Sequence, residues 1–471
     1  MAPTGLHVDA FHGVIRTVSA ATRSDTAHLG TVVGHAPGGL IIALSTSAVF
    51  GDASLLRTFW CTDPGGIDSG IQGHLYTSPD DIFIIRMPHD SSAAIDHLSR
   101  CLDVNAGIWA ALTGISLATS QSRMVLTADH AADTAVSLPG DMSWHVGTLS
   151  DAAAAHYRAG SASLLAFVLD EEFARTLGVL DDPLASQARA TSVLMDKNNA
   201  MEVLRSSGVP IPRTLTLTRN EWRARHLEDL PSSGRYVFKP AGGAAGIGVY
   251  FHPGSGSGVR DIDHHLNVLA RTGGVPRRFQ VQEFLAGTPH GVSAYLPGDG
   301  TAHILEAHKQ VVDSAGRCIG ARWTPAIENS QLAAVQAIYD RLTCNSTLAL
   351  AGLVCLDLID GRVIEVNPRV TACAPIAHLL QREPQISAYR GSGFGISQID
   401  VHTHVRVPVD SVNDGRLRAL VEKVQSDYGV LALPQGLNPV GPCRFVFVND
   451  DSSGTAQRFF LREIHRLAHS D

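Results

Sequence analysis

Apolar residues come as short runs near the N-terminus of this chain and in alternating or helically spaced patterns further on. Over residues 1–190 the runs GGLIIAL, DDIFIIRM and SLLAFVL, interleaved with alanine-rich stretches such as DAAAAHYRA, predict an α/β unit. From Ala190, ATSVLMDKNNAMEVLRSSGVP predicts a helix ending at Gly208, then a turn set by Pro210 and Pro212 and a strand. GRYVFKPAGGAAGIGVYF reads as strand, glycine-rich loop, strand, and FQVQEFLAG as a further strand entering a glycine turn. ILEAHKQVVD and GARWTP predict antiparallel strands joined at Ser314 to Gly316. Leu332, Val335, Ile338, Tyr339 and Leu342 recur at helical spacing and predict a helix from Asn329 to about Leu350. LAGLVCLDLID and GRVIEVNPR then pair as a hairpin across Asp360-Gly361, a dipeptide suited to a tight turn. Beyond about Arg382 come the glycine-rich GSGFGIS, a strand VHTHVRVPV, a helix around Leu417 to Tyr428, a strand CRFVFVND and a helix from about Gly454, together a small α+β appendage.

A chain of 471 residues exceeds what one hydrophobic core covers. The divisions expected from the pattern are an N-terminal α/β domain over 1–190, α+β segments over 191–275 and 276–385, and the appendage over 386–471. Hydrophobic content of 44% with 17% charged residues is ordinary for globular proteins and argues against long disordered stretches. The net charge of -8 provides no broad positive field for nucleic acid or anionic membrane, so a small or peptidic substrate fits better. Seven cysteines without a C-x-x-C pair argue against a zinc site or a disulfide framework. The opening MAPTGLHVDAFHGV has no basic region followed by an apolar run, and Leu40 to Leu44 is too short to span a bilayer, so a cytoplasmic location is expected.

Candidate chemistry concentrates between Ala190 and Arg369. Asp357 ends one predicted hairpin strand, and Glu365 and Asn367 stand two apart on the return strand, where i and i+2 share a face. Their oxygens can converge on Mg²⁺, which accepts carboxylates and amides together with substrate phosphates; a polar, solvent-facing hairpin edge is the alternative. Two of the chain's four lysines, Lys197 and Lys239, lie upstream, the first opening a helix and the second closing the strand before the glycine loop. Glycines there let backbone N–H groups approach phosphate oxygens. The lysine precedes the glycines and no Lys-Ser/Thr follows, so the loop is not a P-loop, nor does AGGAAGIGV open the long helix of a dinucleotide site. His145 reads as a partly buried histidine, the PGG turns at Pro37 and Pro64 as ordinary loops, and the pair His402 and His404 as a polar strand face.

In order and spacing, Lys197, the Lys239 flap, the QEFL strand and the D...EVN hairpin resemble the ATP-grasp superfamily, over about Thr191 to Ala374. That resemblance implies two α+β subdomains clamping ATP between antiparallel sheets, and activation of a carboxylate as an acyl phosphate for attack by an amine. It implies Lys197 and Lys239 on the phosphates, with Gly243, Gly246 and Gly248 in the flap above them. Gln282 would receive the adenine amino group, Glu283, Phe284 and Leu285 would form the hinge, and Asp357, Glu365 and Asn367 would hold one or two Mg²⁺ ions. Arg369 would steady the transferring group, with Arg322 a second candidate for the tetrahedral intermediate. The chain departs from its relatives in two places: Gly287-Thr288-Pro289-His290 stands where many carry a ribose-binding glutamate, leaving His290 as the substitute, and Cys355 stands where some ligases place an arginine.

A large preceding domain and a short α+β tail look like the pheganomycin-type peptide ligases of natural-product biosynthesis. This implies amino acid and peptide substrates, ADP and phosphate as products, and a homodimer. Three alternatives stay open: ligation to a thiol or carrier protein by the same core, a non-catalytic nucleotide-binding module, and a kinase-like phosphotransferase, against which the absence of an H-R-D-type loop argues.

Overall fold

The computed structural model describes residues 40–44, 82–87, 92–117, 119, 123–128, 135–136, 144–145, 163–166, 184–224, 234–242, 248–252, 258–271, 277–296, 300–312, 318–323, 329–345, 348, 350, 352–369, 371, 373, 395–401, 415–437, 443–450 and 454–468. DAAAAHYRA, Gly243, Gly246, the turn at Ser314 to Gly316, and His402 and His404 lie outside them.

The three N-terminal apolar runs become strands β1 (Leu40–Leu44), β2 (Ile82–Met87) and, after β3 (Arg123–Ala128), β4 (Ala135–Val136) and β5 (Trp144–His145), β6 (Ser163–Ala166). Four of these form a parallel sheet in the order β3-β2-β1-β6, while β4 and β5 pair with each other. Parallel neighbours need a long crossover, and helix α1 (Ser92–Thr113) supplies it between β2 and β3.

The helix expected to end at Gly208 is two helices, α2 (Leu184–Met195) and α3 (Lys197–Ser206). Asp196 breaks the run: it takes an extended conformation, and its carboxylate accepts the N–H groups of Asn198 (2.9 Å) and Asn199 (3.0 Å) as an N-cap. Gly208, in the left-handed region at φ 71°, ends α3 as the sequence predicts. Next come β7 (Thr214–Thr218), α4 (Arg219–Ala224), β8 (Tyr236–Pro240), β9 (Tyr250–His252), α5 (Gly258–Arg271) and β10 (Arg278–Glu283). These strands make an antiparallel sheet, β7-β10-β8-β9, with a core of Phe238, Phe279, Val281, Trp222, Ile262 and Leu266.

A second antiparallel sheet contains β11 (His290–Leu296), β12 (His303–Val312), β13 (Cys318–Trp323), then, after α6 (Asn329–Asn345), β14 (Gly352–Ile359), β15 (Arg362–Asn367) and β16 (Gly395–Val401). Helix α7 (Arg416–Tyr428) precedes β17 (Leu431–Gly436) and β18 (Cys443–Asp450), and α8 (Thr455–Ala468) follows. The eight strands run β15-β14-β11-β12-β13-β16-β18-β17. Sequence patterning treats everything past Arg382 as a separate piece, but β16 pairs with β13 and carries the sheet through without a break. It also starts inside the glycine-rich GSGFGIS. Strands β11 and β17 are not predicted at all, and α6 stops at Asn345, short of Leu350.

Tyr339, Ile338 and Leu342 of α6 pack on Val292, Val354 and Leu356, and the Tyr339 hydroxyl reaches the carbonyls of Val292 (2.7 Å) and Val354 (2.9 Å). At the other end of the sheet Phe460 of α8 packs edge-on against Phe445 (4.6 Å) and Phe447 (5.5 Å). Trp109 of α1 is buried in the same cluster and donates Nε1–H to the Pro434 carbonyl at 2.7 Å, which fixes the N-terminal helix on β17.

Candidate active site

The site lies where α3 meets both antiparallel sheets. The first residue of α3 is Lys197, whose backbone N–H donates to Ala241 O at 2.7 Å, just past the end of β8. Asn198 Nδ2 donates to Phe279 O of β10 at 3.2 Å, and Asp196 takes Arg278 at 2.7 Å. Three contacts from consecutive residues thus anchor the helix start on the sheet that carries Lys239, while Met201 and Leu204 sink into the core beneath β15. The two lysines are brought together by this anchoring, each buried to within a tenth of its surface.

The hairpin β14–β15 faces them. Asp360 and Gly361 both have positive φ (49° and 73°), the conformation a two-residue type I′ turn requires and the one Asp-Gly favours. Beyond this turn Asp357 lies opposite Glu365 and Cys355 opposite Asn367. Between Asp357 and Leu358 the register slips, making Ile364 the extra residue of a β-bulge. Its carbonyl accepts Lys239 Nζ at 2.9 Å and Gln282 Nε2 at 3.5 Å, so the bulge joins the two sheets. Lys197 Nζ lies 3.5 Å from Glu365 Oε1.

Electrostatics separate the two carboxylates. Burial would raise Glu365, but Lys197, Lys239 and Arg369 outweigh it and hold its carboxyl below the ordinary range. Burial, with the charge of Glu365 added, pushes Asp357 up to about 7 despite His308, Lys239 and Arg369. Burial likewise lowers Lys239, with Glu365 and Asp357 opposing and Lys197 adding to the depression. Asp357 accepts from Gln310 (2.8 Å) and Asn367 (3.1 Å), and Arg369 donates to Asn367 Oδ1 at 2.9 Å. Two facing carboxylates and an amide are hard oxygen donors, and negative charge at Asp357 remains undercompensated; a divalent cation fits both facts. Among the described residues no group of three or more His, Cys, Asp or Glu side chains forms a metal site. Mg²⁺ needs none, since one or two carboxylates with phosphates and water serve it.

The family model for an ATP-grasp domain matches residues 194–373. This is an ATP-grasp domain. The chain is 29% identical over 154 residues to D-alanine--D-alanine ligases from two strains of Cereibacter sphaeroides, covering 28% of this chain and 49% of each relative. It therefore spans about half the length of the curated relatives it matches. A crystal structure of N5-carboxyaminoimidazole ribonucleotide synthetase in its ADP complex superposes with a TM-score of 0.50 at 12% identity, over 91% of this chain and 97% of that one. At that identity the likeness concerns the ATP-grasp fold alone.

Within the ATP-grasp domain the remaining sequence-derived residues divide by position. Gln282 is buried at the end of β10, its amide on Thr214 Oγ1 at 3.3 Å. The N–H groups of Glu283 and Phe284 are committed to the carbonyls of Arg213 (2.8 Å) and Arg235 (3.0 Å), so neither can serve a nucleotide base. A hinge here has the Glu283 carbonyl and the Leu285 N–H to offer, and Phe284 serves as a platform under Arg235 (3.8 Å). Gly248 has φ 70°, and a Cβ there would press on Pro240, so the end of the glycine loop needs glycine.

Arg322, expected at the tetrahedral intermediate, is not brought to the carboxylates, and His290, expected at the ribose, does not share their face. Ala321 pairs with Gln310, which faces Asp357, so alternation turns Arg322 to the opposite face, where it lies by Gly454 at the start of α8. His290 pairs with Leu358 and Lys309, again one residue out of phase with Asp357. In their place the site face carries Ser293, Glu306, His308 and Gln310. Glu306 accepts from Ser293 Oγ, from His308 Nδ1 (2.8 Å) and from Trp323 Nε1 (3.0 Å), and all four residues are buried. The alternation of Glu306, His308 and Gln310 within LEAHKQ is the signal that marks them, three polar side chains on one strand face.

Among the described residues no helix is long and apolar enough to cross a membrane.

Proposed function

We propose that this protein is an ATP-dependent carboxylate–amine ligase that works through an acyl phosphate and releases ADP and phosphate. The observation that carries the reading is the meeting of Lys197, Lys239 and Arg369 with Asp357, Glu365 and Asn367 where the two sheets join at the Ile364 carbonyl. Phosphoryl transfer to a carboxylate asks for alignment and charge neutralisation more than for covalent help, and this set supplies both. Lys197 and Lys239 would bind phosphate oxygens, exchanging their present partners for them. Asp357, Glu365 and Asn367 would hold one or two Mg²⁺ ions, which when bound neutralise charge on the phosphates. Arg369, tied to Asn367, would steady the transferring phosphoryl group. Gln282, with the Glu283–Leu285 hinge, would take the adenine, and Gly243, Gly246 and Gly248 would cover the phosphates, keeping water from the acyl phosphate.

Similarity to the D-alanine--D-alanine ligases supports amino acids as the substrate class, because those relatives by name join two of them. Layout supports the narrower reading of a peptide ligase of natural-product biosynthesis, cytoplasmic and homodimeric. The test is ADP release by the purified protein with Mg-ATP against pools of amino acids and short peptides, with mass spectrometry of products. Acid- and amine-dependent ADP with a new amide mass, lost in Glu365→Ala, is the expected result. AMP and pyrophosphate in place of ADP would overturn the acyl-phosphate route.

A further inference from the structure

Across three strands of the large sheet, register aligns Asp357 (β14), Gly291 (β11) and His308 (β12). Residues directly opposite one another share a face, so Asp357 and His308 point to the same side, about 10 Å apart at their backbones with Gly291 between them. The His308 ring fills this interval: a Cβ on Gly291 would collide with its Cε1 and Nε2. Nδ1 is bound to Glu306 at 2.8 Å, and Trp323 packs at 5.6 Å between centroids and donates to the same carboxylate. His308 is 2% exposed, and no described residue bonds its Nε2. A buried, oriented ring thus presents one unpartnered nitrogen beside the carboxylates, in the region where Cys355 leaves no positive side chain.

We propose that His308 binds the carboxylate of the acid substrate through Nε2–H, and that Glu306 is the positioning residue that fixes the ring. The inference rests on the ligase reading above. Nδ1 faces the Glu306 carboxylate, so the ring in its protonated form turns Nε2–H toward the site; burial would depress the imidazole, but Glu306 outweighs it and raises its proton affinity above the ordinary range, which favours that form. In the first step a carboxylate oxygen attacks the γ-phosphorus of ATP. An O–P bond forms and the Pγ–O bond to ADP breaks, its electron pair leaving with ADP. The second carboxylate oxygen keeps its hydrogen bond from Nε2–H, and no proton moves. In the second step the amine nitrogen adds to the carbonyl carbon, and that same oxygen becomes the oxyanion facing Nε2–H. Collapse forms the amide and expels phosphate with the C–O electron pair, the amine proton passing to solvent.

The test compares the full-length wild type with His308→Gln, KM and kcat being measured separately for acid and for ATP. The expected result is a rise of at least tenfold in the acid KM with a fall in kcat, the ATP KM staying within twofold; acid KM and kcat within twofold of wild type overturn the proposal. If His308→Gln does not fold, Gly291→Ala takes its place, since it displaces the ring and leaves both charges intact. A wild type without acid-dependent ADP release would sink the ligase reading, and binding then decides this inference. For that, acetate is titrated into Mg-ADP-loaded protein with ¹⁵N-labelled histidine. A shift of the Nε2 resonance that His308→Gln lacks sustains the carboxylate site, and an unmoved resonance overturns it.

Discussion

Two carboxylates, Glu306 buried and Asp357 half-buried, share one face of the large sheet, two strands apart, and their surroundings are opposite. Glu306 has three donors, among them a histidine; burial would raise its carboxyl, yet His308 and the hydrogen bonds hold it below the ordinary range. Asp357 has two amide donors and a second carboxylate facing it, and is pushed up to about 7. The first is complete as it stands. The second lacks positive charge that the chain does not provide, and this difference distinguishes a carboxylate that positions a neighbour from one suited to a cation and its phosphates.

The largest effect expected is at the incomplete pair. Glu365→Ala removes the partner of Lys197 and a proposed cation ligand, and should lower the proposed ligation by roughly 10³-fold, in line with losing a preorganised charge from a transition state. Steady-state ADP release checks it. Thermal unfolding of the same variant in EDTA should show a loss, because Lys197 and Lys239 stay buried without their nearest counter-charge, an effect that relief of the charge crowding Asp357 offsets only in part.

Stability should then separate the pairs by sign. Glu306→Ala leaves His308 buried without its counter-charge and should cost about 3–5 kcal/mol in denaturant unfolding. Asp357→Asn in EDTA removes an unfavourable charge, keeps its shape and two amide neighbours, and should gain on the order of 1 kcal/mol. A loss from Asp357→Asn as large as that from Glu306→Ala would erase the comparison.

The third effect is pH-dependent. Glu306 is depressed in the folded state, so its contribution is present above its unfolded value of 4.5 and is lost as pH falls below it. His308 is raised, so its contribution is present below 6.5 and is lost as pH climbs through its folded value. The stability gap between wild type and Glu306→Gln should therefore be widest between about pH 4.5 and 6.5 and should narrow on both sides. A gap flat from pH 4 to 9 would mean that the pair is held as neutral hydrogen-bond partners.

Local chemistry made the incomplete pair legible in the sequence, and long-range pairing hid the complete one. Asp360-Gly361 specifies its turn, and the turn with the one-residue bulge at Ile364 sets Asp357 against Glu365. Lysines are so scarce that Lys197 and Lys239 stand out, although the helix break at Asp196 that aims the first of them depends on partners in β8 and β10, distant in sequence. Glu306 and His308 gain meaning only when β12 lies beside β11, and β11 itself was unpredicted. Arg322 was misplaced for the same reason: a strand's alternation is readable, but which phase faces the site is set by its neighbours. The join of β13 to β16 is likewise a pairing between residues more than seventy positions apart, with no trace in local pattern.

The smallest effect tests whether the contrast belongs to the side chains or to the sheet that carries them. Tyr339 packs beneath both pairs on the other face, its hydroxyl on the carbonyls of Val292 and Val354 in the two strands that hold Gly291 and Asp357. Tyr339→Phe removes that tie without opening a large cavity and should cost about 1 kcal/mol of unfolding free energy. If the sheet is rigid on its own ladder of hydrogen bonds, ligation should stay within twofold, because neither the Asp357–Glu365 register nor the Glu306–His308 contact depends on the hydroxyl. A tenfold loss of activity at the same stability cost would locate the precision of the site in α6, and the two carboxylates would then differ through the backbone beneath them as well as through their partners.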